Sequence, residues 1–200
     1  MRIFIFTTAT LVFIAANCFA QQQNDFHKTK ISPREIIWGL SHPFIAIKVK
    51  RISQQALYTT DSLQKHSILK DRSGGNLDAF KHSYWMALLT QEIKAKKARK
   101  IGIIHEKVNY RCFKRNYNCQ DSAASAMDLL NNEVGIKIGN ENTNTPRKEL
   151  IDLIINYIYN KKMYVIKKDS DGNCIDKNNK IIDITIEKKW NKRKCIIRSQ

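Results

Sequence analysis

Hydrophobic residues recur at helical spacing through most of the chain, which predicts a mainly α-helical protein of about five helices. The first helix begins at Ser32-Pro33-Arg34-Glu35, where a capping serine precedes a proline and a glutamate follows three residues after the cap. His42-Pro43 interrupts the pattern, and a second helix is predicted from Phe44 to about Lys65. We expect one helical domain over residues 32–160.

The middle of the chain predicts three more helices. Ser73-Gly74-Gly75-Asn76 forms a loop, and helices are expected after it over about 77–93, 95–107 and 122–138. A further helix begins at Thr145-Pro146, where a capping residue again precedes a proline. These segments supply the core of a single-domain helical bundle.

The last part of the chain changes from helical to strand spacing. Met163–Ile166 and Ile181–Ile186 are apolar strands on either side of a polar turn at Asp169–Asn173. This pattern predicts a small C-terminal β-hairpin. We therefore assign residues 161–200 to the hairpin and a basic tail.

Residues 1–20 have the three parts of a secretory signal peptide. Arg2 precedes an apolar run, and Cys18-Phe19-Ala20 places small residues where a signal peptidase cleaves. Residues 21–31 are polar and predict a flexible lead-in. Lipoprotein processing at Cys18 is an alternative. The sequence therefore predicts an exported protein, either periplasmic or secreted.

The chain is strongly basic, with 35 Lys+Arg against 18 Asp+Glu and a formal net charge of +17. Such a surface favours anionic partners, of which an envelope component or polymer comes first and nucleic acid second. The alternative is that the charge only keeps the protein soluble. After the signal peptide, the sequence predicts no segment long and apolar enough to cross a membrane.

Four cysteines remain after the predicted cleavage. An even number in an exported chain favours two disulfides, most simply Cys112–Cys119 and Cys174–Cys195. The sequence leaves all three pairings open. A zinc site formed by the four is an alternative, although no C-x-x-C pair is present.

Polar residues occupy positions that helical spacing assigns to the interior of three helices. Asp78 and His82 lie four residues apart on one helix, so they share a face, which Trp85 continues. His105 follows the apolar face of the next helix, and Glu106 comes directly after it. The third helix has a polar stripe at i, i+3, i+4 and i+7, formed by Asp128, Asn131, Asn132 and Gly135.

The polar stripe is informative because two asparagines and a glycine inside a helix lower its stability. Burying their amides without partners would cost more, so we expect polar partners on the neighbouring helices. Gly102 and Gly135 would also let helix backbones approach closely near the polar cluster.

Together these three segments resemble an uncharacterised bacterial domain family, a domain of unknown function. The resemblance covers residues 70–140 and the patterns G-G-N-x-x-D-A-F-[RK]-H-x-x-[WF], H-E and D-x-x-N-N-x-x-G. Lys81 stands where arginine is frequent in that pattern. Members are often exported, and the resemblance implies no particular reaction.

The polar residues suit hydrolysis by an activated water or hydroxyl. The candidate catalytic residues, which also form a candidate ligand set for zinc or manganese, are His82, His105, Glu106 and Asp128. Candidate binding residues around them are Asp78, Asn131, Asn132 and Trp85. In a metal-free version, one histidine acts as the general base and an asparagine stabilises an oxyanion.

We therefore expect a hydrolase, with or without a divalent metal, that acts on an anionic envelope or extracellular substrate. One alternative is a non-catalytic envelope-binding protein whose polar cluster only fixes helix packing. A second is a secreted toxin or nuclease, for which no recognised motif is present. The H-E-x-x-H metalloprotease motif is excluded in its usual form because Asn109 stands in place of its second histidine.

Overall fold

The computed structural model describes residues 33–116, 121–182 and 193–199. The predicted signal peptide, the lead-in and Cys119 lie outside the described residues. The chain divides into two compact units, Met1–Lys48 and Val49–Gln200. None of the described helices combines the length and hydropathy that a membrane-spanning segment needs.

Six helices and two short strands form the described part of the chain, which confirms the mainly α prediction with a small antiparallel C-terminal pair of strands. Their bounds are α1 Pro33–Ser41, α2 Pro43–Lys65, α3 Asn76–Ile93, α4 Ala95–Asn116, α5 Ser122–Glu141, α6 Arg147–Tyr159, β1 Tyr164–Ile166 and β2 Ile196–Arg198.

The break between α1 and α2 is one residue wide and lies where the proline predicts it. Pro33 and Pro43 are the first residues of their helices, positions at which the missing N–H of proline costs no hydrogen bond. His42 lies between the helices, and its ring stacks on that of Trp38 with 5.0 Å between centroids.

Helix α3 lies at the centre of the second unit and is buried on nearly every side. It packs most extensively against α5 and also contacts α4, α6 and β1. Its sequence explains the position, because few charged residues interrupt the run from Leu77 to Ile93. Side chains on every face of α3 are therefore available to form an interior site.

Helices α3 and α5 approach unusually closely because α5 presents glycines to α3. A Cβ atom added at Gly135 would overlap the carbonyl oxygen of Ser83, and one added at Gly139 would overlap that of Ala87. The expected close approach at Gly135 is therefore present, and Gly139 extends it by one turn.

Helix α4 is longer than the sequence predicted, because it continues past Lys107 to Asn116. Its buried face contains polar residues, so the hydrophobic spacing of this helix is interrupted in the sequence. This face consists of Ala98, Gly102, Glu106, Asn109 and Phe113, at spacings of three and four residues. Cys112 consequently lies within α4, and not in the loop that follows.

Strand β1 pairs antiparallel with β2, in the register Tyr164↔Arg198, Val165↔Ile197 and Ile166↔Ile196. The predicted second strand, Ile181–Ile186, is described only as far as Ile182, and neither Ile181 nor Ile182 pairs with β1. Ile181 instead forms an isolated bridge with Ile175, and residues 183–186 lie outside the described residues. The observed pairing places Ile166 and Ile196 together against the α5 residues Ala123 and Met127.

Cys174 and Cys195 are free thiols in the structure, which contradicts the predicted disulfide between them. Their backbones are nonetheless close, since the Cys195 N–H donates to the carbonyl of Ile175, the residue after Cys174. The Cys174 side chain packs against the apolar cluster of Ala123, Met127 and Ile166. The Cys174 side chain therefore makes an apolar contact and no disulfide.

Candidate active site

Asp78 and His82 are set by the start of α3. Gly74 adopts a left-handed backbone conformation with φ of 76°, and α3 begins two residues later. The Gly74 N–H donates to Asp78 Oδ2 at 2.8 Å, so the loop fixes the carboxylate. One turn further along, His82 lies on the same face, with its Nε2 3.7 Å from Asp78 Oδ1.

Asp128 and Asn132 meet His82 from α5. Asp128 Oδ2 lies 3.3 Å from His82 Nε2, and both side chains are buried. The Asn132 amide lies beside the His82 ring. It also faces α4, because a Cβ atom added at Gly102 would lie 3.0 Å from Asn132 Nδ2.

His105 and Glu106 complete the cluster from α4. The His105 ring lies 6.2 Å from that of His82 and packs edge-on against Trp85, at 5.4 Å between centroids. Glu106 is buried, and its Oε2 accepts a hydrogen bond of 3.0 Å from Asn109 Nδ2. Three helices therefore bring two imidazoles and three carboxyl groups together.

One edge of this cluster reaches solvent. Asp78, His82, Glu106 and Asp128 are buried, whereas Lys81, Trp85 and His105 are only partly buried. Lys81 Nζ lies 2.6 Å from Asp78 Oδ1. The Trp85 Nε1 donates to Ser53 Oγ on α2 at 2.9 Å, which fixes the indole at this edge.

Burial lowers the pKa values of His82 and His105 and raises that of Glu106. It lowers the pKa of His82 well below its usual value, and the charge of Lys81 lowers it further. The pKa of His105 is lowered to about 4, by burial first and then by Lys81. Burial also raises the pKa of Glu106 to about 7. Near pH 7 both imidazoles are therefore neutral, and Glu106 readily gains or loses a proton.

The residues best placed to hold a metal ion are Asp78, His82 and Asp128. One ligand atom from each lies within 4.8 Å of the other two. His105 and Glu106, which the sequence included in the ligand set, lie beside this group on α4.

Asn131 has a different role from its neighbour Asn132. Its Nδ2 donates to the Tyr164 carbonyl at 2.9 Å, and its Oδ1 accepts from the Tyr164 N–H at 3.0 Å. Both amide atoms thus bind the backbone of β1, and neither is directed to the histidines. Of the predicted binding residues, Asp78, Asn132 and Trp85 lie at the cluster.

Two residues at the site were not among the sequence candidates. Lys81 forms an ion pair with Asp78 three residues before it, a spacing that could have indicated the pair. Asn109 binds Glu106 at the same spacing. In the sequence, Lys81 stands out only because it replaces a frequent arginine of the family pattern, and Asn109 only because it replaces the second histidine of H-E-x-x-H.

The fold and the cluster define a helical domain with an interior site of histidine and carboxyl groups. Residues 36–162 match the model of the family described as Domain of unknown function (DUF6973), so the chain belongs to that family. This match confirms the resemblance to an uncharacterised domain family. No curated protein and no solved structure matches the chain.

Proposed function

We propose that this protein is a hydrolase that activates water at the His82–His105 cluster. The observation that carries the proposal is the convergence of neutral imidazoles and carboxyl groups from α3, α4 and α5, with His105 at the edge that solvent reaches. Groups of this kind, with pKa values shifted in opposite directions, are typical of acid–base sites.

In this proposal, His105 is the general base. Its pKa of about 4 leaves the ring neutral near pH 7, so one ring nitrogen can accept a proton from water. Glu106, whose pKa is about 7, can hold a proton at the same pH and donate it to a leaving group. Trp85 packs against the His105 ring and limits its orientation.

Lys81 supports an anionic substrate. Its ammonium group is at the edge of the cluster, and its side chain is 25% exposed. The chain as a whole carries a net charge of +17, which attracts anions from solution. Together with the predicted export signal, these features favour an anionic envelope or extracellular ester as the substrate class.

Turnover of model esters tests the proposal. The purified chain is assayed with p-nitrophenyl phosphate, bis(p-nitrophenyl) phosphate and p-nitrophenyl acetate, beside His105→Gln and a control, His66→Gln. His66 is an exposed histidine on the described surface, at the end of α2. We expect His105→Gln to lower kcat roughly 100-fold or more, with little change in Tm, and the control to retain activity. No turnover of any ester, or turnover that His105→Gln leaves intact, would contradict the proposal.

A second candidate function, binding to an anionic membrane surface, is favoured by one separate observation. Four large apolar side chains are exposed within eleven residues of the first unit: Ile37, Leu40, Phe44 and Ile47. Phe44 is 83% exposed. Exposed apolar groups beside lysines, here Lys48, suit a bilayer with anionic head groups.

Vesicle co-sedimentation tests this second candidate. We expect the chain to bind phosphatidylglycerol vesicles but not phosphatidylcholine vesicles, and Phe44→Ser/Ile47→Ser to abolish binding. Ile181→Ser is the control, because Ile181 is as exposed as Ile47 but lies in the second unit. Failure to bind phosphatidylglycerol vesicles would exclude the membrane as the partner. Oligomers that form without lipid and that the double substitution dissociates would also exclude it, and would show that this face mediates self-association.

A further inference from the structure

The spacing of ligand atoms around His82 differs from that of a hydrogen-bonded network. Its Nε2 lies 3.3 Å from Asp128 Oδ2 and 3.7 Å from Asp78 Oδ1. A charge-assisted N–H···O hydrogen bond is shorter, at about 2.7–2.9 Å. Ligand atoms at about 2.0–2.2 Å from a tetrahedral zinc ion are separated by roughly 3.3–3.6 Å. These two separations are therefore close to two edges of a metal-coordination tetrahedron, and the third separation, between the two carboxylates, is within 4.8 Å.

The charge of the group also favours a cation. In their ionised forms, Asp78 and Asp128 bring two negative charges into the interior, and Lys81 offsets one of them. The group of Asp78, His82 and Asp128 therefore has a negative charge when both carboxyl groups are ionised, and a buried negative charge attracts a cation.

Asn132 provides an independent indication of a ligand. Its side chain is 3% exposed and lies beside the His82 ring. Neither amide atom of Asn132 has a hydrogen-bond partner of good geometry within the described residues. Polar groups buried in this way usually have a partner, and a bound ion with its water would supply one.

We propose that Asp78, His82 and Asp128 bind one divalent cation, zinc or manganese, with the Asn132 amide next to it. Carboxylate and imidazole ligands suit both ions. The proposal changes the ligand set that the sequence indicated, because Asp78 replaces His105 and Glu106. The proposal adds a metal ion to the proposed hydrolase. Binding of the ion does not depend on that function, but its catalytic role rests on it.

Two neighbours of Asp78 fit this assignment. The Gly74 N–H holds Oδ2 and leaves Oδ1 facing His82, as an outer hydrogen bond orients a metal-binding carboxylate. The Lys81 ammonium contacts that same Oδ1, so it would compete with the ion. Because its side chain is partly exposed, it can turn toward solvent when the ion binds.

Calorimetric titration of the chelator-treated full chain with MnCl₂ and ZnCl₂ tests the proposal. We expect one equivalent to bind, and His82→Gln or Asp128→Asn to weaken the affinity at least about tenfold. Lys81→Met should strengthen it, because a competing cation is removed. Glu133→Gln, an exposed charge change on the same helix as Asp128, is the control. Zinc titrations are repeated in Cys174→Ser, which removes a competing thiol.

Thermal stability separates a metal site from a structural network. In chelator, Asp128→Asn should be at least as stable as the wild type, because it removes one of two neighbouring negative charges. Breaking a structural buried pair would instead lower the Tm of the variant clearly below that of the wild type. Added metal should raise the Tm of the wild type and leave that of Asp128→Asn unchanged.

The outcomes for metal and for activity are separable. No saturable binding, or binding that both substitutions leave intact, would overturn the metal site. Ester turnover that persists in chelator would then leave the hydrolase proposal standing. Stoichiometric metal without turnover of any ester would overturn the hydrolase alone.

Discussion

Asn131 and Tyr164 are joined by two hydrogen bonds, because the Asn131 amide both donates to and accepts from the backbone of Tyr164. The side chain thus pairs with β1 as a neighbouring strand would. This contact connects α5 to the C-terminal strands. It also assigns one of the two adjacent asparagines to the fold, while the other lies at the histidine cluster.

Asn131→Ala should lower the free energy of unfolding by about 1–2 kcal/mol, because it leaves the partly buried N–H and C=O of Tyr164 without this partner. Urea denaturation followed by circular dichroism measures the change. Asn140→Ala, an exposed asparagine on the same helix, is the control and should change stability much less. Equal effects of the two substitutions would show that the Tyr164 contact contributes nothing.

Gly135→Ala should destabilise the protein by about 1–3 kcal/mol, because its methyl group would overlap the Ser83 carbonyl and push α5 away from α3. In an open helix the same substitution would be stabilising by about 1 kcal/mol, so the sign of the change is informative. Gly39→Ala provides the comparison, since its new Cβ would meet nothing closer than Ala46 at 3.7 Å. A stabilised Gly135→Ala variant would contradict the close packing.

Glu106 should make the stability depend on pH. Its pKa rises from 4.5 to about 7 on folding, so the folded protein holds a proton that the unfolded chain releases in this window. The contribution of Glu106 to stability therefore falls as the pH rises from about 4.5 to 7, by up to about 3 kcal/mol. His105 has the opposite effect between about 4 and 6.5, because its pKa is lowered on folding.

Comparison with Glu106→Gln isolates this contribution from that of His105. In chelator, the variant should gain stability relative to the wild type between pH 5 and pH 8, as measured by urea denaturation at both values. Glu141→Gln, an exposed glutamate on α5, controls for the loss of charge. A constant difference between Glu106→Gln and the wild type at both pH values would rule out a raised pKa.

The ion pair between Arg99 and Glu133 should contribute little despite its good geometry. Arg99 Nε and Nη2 lie 2.6 Å and 2.7 Å from the two carboxylate oxygens, but both side chains are about half exposed. We expect Glu133→Gln to change the free energy of unfolding by less than about 0.5 kcal/mol. Addition of salt should reduce even this difference, and a loss above 1 kcal/mol would contradict the expectation.

The helices that carry the cluster could be predicted from local signals. The glycine pair and Asn76 mark the start of α3, and the spacing of Asp78 and His82 puts them on one face. The end of α4 could not be predicted in this way. Its interior positions include Glu106 and Asn109, and buried polar residues imitate a solvent-facing pattern.

The arrangement of the cluster depends on contacts between elements, which a single sequence does not contain. Asn131 and Asn132 are neighbours in the same stripe, yet one binds β1 and the other lies beside His82. The partner of β1 comes about thirty residues later, and several isoleucine pairs would satisfy the same alternation. Packing against Met127 selects among them, and it is a tertiary property.

In the proposed hydrolase, the glycine contact between α3 and α5 would also limit the side from which a substrate can arrive. Where Gly135 and Gly139 lie on the α3 backbone, no space remains for a chemical group to enter between these two helices. A ligand would therefore reach the cluster from the side of α4, which carries the partly buried His105 and has its own glycine, Gly102, facing Asn132. The space beside α4 would then set the size of the group that the cluster accepts, and a narrow space would admit small anionic esters more readily than bulky polymers.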